Sequence, residues 1–89
     1  MGGKYFTYIA RCSDNSLYTG ITSNVVNREK RHNNGQGCEY TKKRLPIKIE
    51  YFETYNTLKE AASREKQIKG WVNNKKERLI KGKQPILKK

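Results

Sequence analysis

Two short segments near the N-terminus constrain the fold more than any other part of the chain. Residues 5–12, YFTYIARC, and residues 17–21, LYTGI, are rich in aromatic and β-branched residues, which is typical of β-strands. The turn-forming residues SDNS separate them and predict a β-hairpin. A three-residue loop with Asn15 in a left-handed conformation places Tyr8 and Tyr18 on one face, whereas an even loop places them on opposite faces. The residues alone leave both alternatives open.

Between the hairpin and residue 53, the sequence predicts a helix, a basic loop and a third strand. N-cap candidates at residues 22–24 precede a helix through residues 25–33, which the sequence NGQG at residues 34–37 terminates. A basic loop is expected at residues 41–46. Alternation of apolar and polar residues then predicts a strand at residues 47–53. On one side of that strand we expect Ile47, Ile49 and Tyr51.

Two helices complete the predicted architecture. Thr57 and Glu60 form the sequence pattern of a capping box, which opens a helix over residues 58–71. A short last helix is expected around residues 75–80. The apolar stripe of the first of these helices contains Leu58, Ala61, Ala62, Ile68 and Val72. The predicted fold class is therefore α+β, in the order β-β-α-β-α-α, with a three-stranded, largely antiparallel sheet.

Size and charge limit the classes of function. A chain of 89 residues, of which 34% are hydrophobic, has material for one domain with a small core. We expect that domain over residues 1–80 and a basic, flexible tail over residues 81–89. The formal net charge of +12 indicates a polyanionic partner, with nucleic acid favoured over an anionic membrane surface.

The sequence also favours a cytoplasmic location. No segment reaches the roughly 20 apolar residues that a membrane helix needs, and none resembles a signal peptide. Cys12 and Cys38 are therefore expected to be reduced thiols. Since no C-x-x-C spacing is present, we do not expect a structural zinc site.

Three polar residues do not fit an ordinary small domain. Glu65 lies near the middle of the apolar stripe, where a carboxylate must be paired, solvated or bound to a cation. A salt bridge to Lys69, one helical turn later, is the structural alternative to a functional role. Arg28 and His32 are four residues apart and therefore neighbours on one helix face. Arg28 or His32 by itself is weak evidence for a functional site, and it is their occurrence together that indicates one.

The order of these residues resembles that of the GIY-YIG nuclease superfamily. Residues 6–8, Phe-Thr-Tyr, correspond to the first family triplet and keep its tyrosine. Residues 18–20, Tyr-Thr-Gly, correspond to the second triplet and keep its tyrosine and glycine. The segments SREKQIKGW around Glu65 and QGCEYTKKRLP at residues 36–46 are similar to those of the small, single-domain bacterial branch of UPF0213-type proteins. This resemblance covers roughly residues 4–80.

The resemblance implies an endonuclease that cleaves DNA phosphodiester bonds with Mg²⁺ or Mn²⁺ in repair or recombination. Glu65 would hold the metal, and Arg28 would bind a phosphate oxygen. Tyr8, or else His32 directly or through tyrosine, would accept the proton of the attacking water. Arg28 and the metal are expected to favour the phenolate form of Tyr8. By resemblance, the catalytic residues are Tyr8, Tyr18, Arg28, His32 and Glu65.

The affinity for DNA is expected to come from phosphate contacts in the loop at Lys42, Lys43 and Arg44. If about six phosphates are contacted, the logarithm of the binding constant should fall with the logarithm of salt concentration at a slope of about −5. We expect little sequence preference and a preference for branched or nicked DNA. Two alternatives remain open, a non-catalytic nucleic-acid-binding module on the same scaffold and a protein-interaction domain. If Glu65 lies on the opposite side of the sheet from Arg28 and both tyrosines, this assignment of the nuclease site is wrong.

Overall fold

The computed structural model describes residues 3–87, with side chains described as far as residue 82. The strands are β1 (Tyr5–Arg11), β2 (Leu17–Thr22) and β3 (Lys48–Tyr55). The helices are α1 (Val25–Arg31), α2 (Glu39–Lys42), α3 (Leu58–Lys69) and α4 (Asn73–Leu87). A π-helical turn, His32–Gln36, follows α1 directly. These elements confirm the predicted α+β class, to which α2 adds a short helix.

Strand β1 lies in the centre of an antiparallel sheet with the order β2-β1-β3. In the pairing of β1 with β2, Tyr8 lies opposite Gly20 and Ala10 lies opposite Tyr18. The hairpin loop contains three residues and ends at Asn15, whose φ of 71° is left-handed. Because partners in an antiparallel pair share a face, Tyr8 and Tyr18 project to the same side of the sheet. We call this side the front face.

The pairing of β1 with β3 contains a β-bulge that the sequence pattern does not reveal. Ile9 lies opposite Tyr51, but the next residue, Ala10, lies opposite Ile49, so that β3 has one extra residue. Tyr51 therefore packs with Ile9 behind the sheet, whereas Ile47 and Ile49 pack on the front face. The prediction that Ile47, Ile49 and Tyr51 lie on the same side of the sheet is wrong for Tyr51, because the extra residue of the bulge reverses the alternation of side chains in β3.

The two faces of the sheet carry separate hydrophobic clusters. On the front face, under α1 and the π-helical turn, the buried apolar residues are Tyr8, Ala10, Cys12 and Ile47. Between the rear face and the helices α3 and α4, the cluster consists of Ile9, Leu17 and Tyr51 from the sheet, Ile68 from α3 and Ile80 from α4. Cys12 is buried, Cys38 is half-buried, and both are free thiols. The small chain thus divides its core between two layers.

Helix α3 begins at the predicted capping box. The backbone N–H of Glu60 donates to Thr57 Oγ1 at 3.2 Å, and the Glu60 carboxylate accepts from the Thr57 N–H at 3.3 Å. The predicted stripe is only partly correct, since Ala61 and Ile68 are buried but Leu58 and Val72 are exposed. Leu58 is the first residue of the helix and Val72 follows its end, so neither lies over the sheet.

Two other elements differ from their predicted bounds. The helical segment Glu39–Lys42 takes up the start of the predicted loop at residues 41–46. Helix α4 runs to Leu87 instead of covering only residues 75–80, and it therefore includes most of the segment 81–89. Lys88 and Lys89 lie outside the described residues. The division into a domain and a flexible tail stays a prediction.

Arg11 joins α4 to the sheet. Its guanidinium donates to both carboxylate oxygens of Glu77, at 2.7 and 2.8 Å, and to Glu50 of β3 at 3.0 Å. Such bidentate contacts define orientation as well as distance. In the described part of the chain, α4 and the other helices lack the combination of length and apolar character that crossing a bilayer requires.

Two buried threonines on the rear face provide a test of this packing. The Thr7 hydroxyl donates to the Ala61 carbonyl at 2.8 Å, whereas the Thr19 hydroxyl has no partner among the described residues. A buried hydroxyl without a partner costs about 1–3 kcal/mol. We expect Thr19→Val to increase the free energy of unfolding by about 1–2 kcal/mol and Thr7→Val to decrease it by about 1 kcal/mol. Urea unfolding followed by circular dichroism measures both, and equal effects of the two substitutions would contradict the assignment.

Candidate active site

Tyr8, Arg28 and His32 meet on the front face. The Tyr8 hydroxyl lies 2.9 Å from His32 Nε2, and both side chains are fully buried. Arg28 Nε donates to the Tyr8 oxygen at 3.4 Å from one turn earlier on the same helical face. Helix α1 is capped by Asn24, whose side chain accepts from the Asn27 N–H at 2.9 Å. Helix α1 and the π-helical turn that continues it therefore direct Arg28 and His32 toward the central strand β1.

The hydrogen bonds around His32 have a definite direction. The Thr41 hydroxyl donates to the Cys38 carbonyl at 3.1 Å, and the same oxygen lies 2.9 Å from His32 Nδ1. Since the hydroxyl has one proton and directs it at the Cys38 carbonyl, we infer that His32 Nδ1 is the donor to Thr41. In a neutral imidazole Nε2 is then an acceptor, and the Tyr8 hydroxyl donates to it. The proton of Tyr8 therefore already points at a base.

The pKa values of both residues favour the neutral forms. Burial raises the pKa of Tyr8 above its ordinary value, and this rise exceeds the opposing effect of Arg28. Burial, together with the charge of Arg28, lowers the pKa of His32 below its ordinary value. Arg28 lowers the pKa of Tyr8, the direction expected from the sequence, but burial raises this pKa by more, so Arg28 by itself does not make Tyr8 a phenolate.

Tyr18 forms one wall of the site. Its ring lies 5.7 Å from the His32 ring and stacks on Tyr40 at 6.0 Å, and the Arg44 guanidinium lies 3.9 Å above Tyr40. Burial and a hydrogen bond with Cys38 raise the pKa of the Tyr18 hydroxyl. A neutral, stacked phenol of this kind suits a positioning role better than a proton-accepting role.

Two glycines permit this close packing. A Cβ at Gly20 would lie 2.6 Å from the Tyr8 hydroxyl oxygen and 3.1 Å from the Tyr18 ring. A Cβ at Gly37 would overlap the His32 ring and approach the Thr41 hydroxyl to 2.9 Å. Both positions need glycine because a neighbouring side chain fills the space of a Cβ.

Glu65 approaches the site from the other side of the sheet. Helix α3 lies on the rear face, where the Thr7 hydroxyl donates to its Ala61 carbonyl. The Glu65 side chain is 22% exposed and pairs with Lys69 at 3.2 Å, and Lys69 Nζ lies 5.7 Å from the centre of the Tyr18 ring. Since Tyr18 is on the front face, Lys69 reaches it around the edge strand β2. Glu65 thus lies at the rim, where among the described residues it contacts Lys69 but neither Arg28 nor the two tyrosines. Its charge is the smallest of the effects that act on the pKa of Tyr8.

The protein ligands near this rim suit one kind of metal site. The described residues include no group of three or more histidine, cysteine, aspartate or glutamate side chains placed to hold a metal ion. Glu65 is a single carboxylate beside the Tyr8 site. Mg²⁺ is often bound by one or two carboxylates, several waters and substrate phosphate. Glu65 would therefore suit a largely hydrated Mg²⁺ or Mn²⁺ whose remaining ligands would be water and a substrate phosphate.

The predicted DNA-contacting residues follow the Tyr18 wall directly. Lys42 and Lys43 are exposed at the end of α2, beyond Tyr40. Arg44 is less available, because it donates to Asp14 at 3.0 Å and to the Tyr40 carbonyl at 2.7 Å. The structure thus leaves the two lysines accessible, whereas Arg44 also stabilises the wall.

Four residues of the site were not assigned roles from the sequence, namely Gly37, Cys38, Tyr40 and Thr41. All lie in the segment at residues 36–46 that carries the family resemblance. A short helix between two turns gives no periodicity from which a buried threonine can be recognised. Thr41 is fully buried only because the π-helical turn places His32 against it.

Comparison with known proteins agrees with this geometry. The model of the GIY-YIG catalytic domain matches residues 4–78. The chain belongs to the GIY-YIG family. The UPF0213 proteins of Staphylococcus aureus strains Mu3 and MW2 are each 51% identical to it over 78 residues, which cover 88% of this chain and 95% of theirs.

Two solved structures of related proteins have the same fold. The UPF0213 protein BH0048 from Bacillus halodurans is 35% identical, with a TM-score of 0.56 over 88% of this chain and 83% of that one. The E. faecalis protein EF2693 is 31% identical, with a TM-score of 0.60 over 92% of this chain and 90% of that one. These similarities confirm the GIY-YIG and UPF0213 resemblance inferred from the sequence.

Gly20 tests the packing of this GIY-YIG site. We expect Gly20→Ala to reduce the free energy of unfolding by about 1–3 kcal/mol, because the added methyl group must displace Tyr8 from His32. Urea unfolding measures the loss, and NMR of the His32 ring reports the displacement. Gly3→Ala is the control, since no atom lies within 4 Å of its added Cβ and the residue lies outside the helices and strands. An unchanged His32 signal in Gly20→Ala would contradict the predicted overlap.

His32 is the only histidine in the chain, so it provides a clean pH test. Its pKa is lowered in the folded state, so the unfolded state binds more protons below the ordinary pKa of about 6.5. The free energy of unfolding should therefore have its full value above about pH 6.5. It should decrease as the pH falls toward the folded-state pKa, by at most about 1.4 kcal/mol per pH unit. Unfolding between about pH 5 and 7.5 measures this slope. His32→Gln should flatten it, and an equal slope in that variant would contradict the assignment.

Proposed function

We propose that this protein is a divalent-metal-dependent endonuclease that cleaves DNA phosphodiester bonds in the cytoplasm during repair or recombination. The main support is a buried Tyr8 whose proton points at neutral His32 and whose oxygen accepts from Arg28. Glu65 lies at the rim of this arrangement, and the whole belongs to a GIY-YIG catalytic domain. Together these residues provide a proton acceptor, a phosphate ligand and a metal ligand.

Tyr8 and His32 activate water by a coupled transfer of two protons. Both side chains are fully buried in the free protein, so this step requires that substrate binding opens a path for the attacking water to the Tyr8 oxygen. The Tyr8 oxygen then accepts a proton from that water while its own proton moves to His32 Nε2, 2.9 Å away. The water oxygen bonds to phosphorus, and the bond from phosphorus to the leaving oxygen breaks. Tyr8 remains neutral throughout, so its raised pKa does not obstruct the reaction. The lowered pKa of His32 favours later release of the proton to solvent.

Arg28 and Glu65 stabilise the charge of the reacting phosphate. Arg28 uses its Nε for Tyr8, and its terminal nitrogens make no hydrogen bond within the described residues. These nitrogens can donate to a non-bridging phosphate oxygen. Glu65 would hold the divalent cation, which would supply Lewis-acid stabilisation of the leaving oxygen.

DNA binding is expected to depend mainly on the phosphate backbone. The net charge of +12 and the exposed Lys42 and Lys43 provide the attraction. Contacts of this kind position the nucleic acid but do not read its bases. We therefore propose weak sequence preference, with branched or nicked DNA favoured because its strands are more accessible at the junction.

The decisive experiment measures cleavage of single-stranded, duplex and branched DNA with Mg²⁺, with Mn²⁺ and with a chelator. We expect Tyr8→Phe to reduce the cleavage rate by about 10²–10⁴-fold, because the water loses its proton acceptor. Arg28→Ala and Glu65→Gln should also strongly reduce it. Tyr5→Phe is a matched control, since Tyr5 lies on the same strand outside the site, and its rate should be unchanged.

Three outcomes would reject the proposal. Cleavage that survives all three site substitutions would come from another site or another protein. Salt-sensitive DNA binding without cleavage would favour a non-catalytic nucleic-acid-binding module. Weak binding to every DNA even at low salt would favour a protein-interaction domain.

A further inference from the structure

A small charge cluster lies where α3 meets the edge strand β2. Lys69 Nζ is 3.2 Å from the Glu65 carboxylate and 5.7 Å from the centre of the Tyr18 ring. Its ammonium group therefore lies between the carboxylate at the rim and the wall of the site. The nuclease chemistry described above assigns no role to Lys69.

A second lysine adjoins this cluster. Lys76 at the start of α4 is only 8% exposed, and it makes no hydrogen bond or ion pair within the described residues. Burial, followed by the charge of Lys69, lowers the pKa of Lys76. A second lysine thus lies close enough to Lys69 for their charges to interact, and the local charge around the Glu65–Lys69 pair is positive. A half-buried positive excess of this kind is a suitable environment for an anion.

We propose that Lys69 forms a phosphate-binding subsite once a divalent cation displaces its ammonium group from Glu65. This proposal rests on the proposed function, because it assumes a metal ion at Glu65 and a DNA substrate. The phosphate would be one that neighbours the cleaved bond. Lys69 therefore has two alternative partners, the carboxylate in the metal-free protein and the DNA phosphate in the metal-bound complex.

Charge makes the two states mutually exclusive. An ammonium group and a divalent cation both bind the same carboxylate oxygens, and they repel each other at contact distance. Arrival of the cation therefore releases Lys69, whose flexible chain can turn to another anion within reach. The cation also adds two positive charges to a cluster that already has an excess. The affinity of the subsite for phosphate should consequently rise when metal binds.

The first test measures metal binding without DNA or turnover. Mn²⁺ is titrated into isotope-labelled protein, and paramagnetic broadening of the backbone amides around Glu65 gives an apparent dissociation constant. We expect Lys69→Met to bind Mn²⁺ about fivefold more tightly, because no ammonium competes for the carboxylate. Lys66→Met is the matched control, since it removes the same charge from the same helix at an exposed position. Its affinity should change much less, and Glu65→Gln should show no local broadening.

The second test measures DNA affinity in a Tyr8→Phe background, where cleavage does not interfere. With Mg²⁺, Lys69→Met should reduce the salt slope of binding by about 0.9, which corresponds to one lost phosphate contact. With a chelator, the slope should be unaffected, because Lys69 is then paired with Glu65. Lys76→Met should leave the slope unchanged with Mg²⁺, because a side chain that is only 8% exposed does not contact a phosphate directly, and thermal unfolding checks that this variant remains folded.

The outcomes separate this proposal from the proposed function. If Glu65→Gln abolishes the broadening but Lys69→Met and Lys66→Met bind Mn²⁺ equally, the displacement is wrong and the nuclease proposal stands. The same conclusion follows if Lys69→Met changes the salt slope equally with Mg²⁺ and with chelator. If the unsubstituted protein shows no broadening around Glu65, the metal site itself is wrong and the displacement fails with it.

Discussion

The hydrogen bond between the Tyr8 hydroxyl and His32 Nε2 is the contact on which the whole site depends. It joins the central strand to the π-helical turn in a region without solvent, so both partners must be satisfied there. The second ring nitrogen of His32 is satisfied by Thr41, which in turn donates to the Cys38 carbonyl. This chain determines the tautomer of the imidazole, and glycines at two neighbouring positions leave the space that it occupies.

Burial shifts the pKa values of Tyr8 and His32 in opposite directions, but in both residues it favours the neutral form. It raises the pKa of Tyr8 and lowers that of His32, so both are neutral at physiological pH. A neutral donor and a neutral acceptor can exchange a proton in a concerted transfer without creating a buried phenolate. The charged groups lie around this pair, with Arg28 on one side and the Glu65–Lys69 ion pair at the rim. The surroundings thus provide the charges that a phosphate and a hydrated cation would meet.

Local patterns predicted the elements well where the interactions are themselves local. The capping box of α3 depends on residues within one turn, and it occurs at the expected place. Of the two hairpin loops that the sequence left open, the structure has the one with Asn15 left-handed. The bulge in β3 is different, because it arises from pairing with a distant strand and leaves no local pattern. Consequently the face of Tyr51 could not be predicted. Helix α2 is too short to produce a periodic signal.

By itself, the sequence determined the order of the elements, the excess of positive charge and the family to which the site residues belong. These properties depend on residue type and spacing along the chain. Only the tertiary structure decided that Tyr8 and Tyr18 share a face, since one loop residue reverses that relation. It also decided that the helix carrying Glu65 packs behind the sheet, and that Lys69, the ion-pair partner of Glu65, lies beside Tyr18. The contact between Thr41 and His32 was likewise decided by the tertiary structure. Such relations join residues that are distant in sequence, and only packing of the helices on both faces of the sheet brings them together.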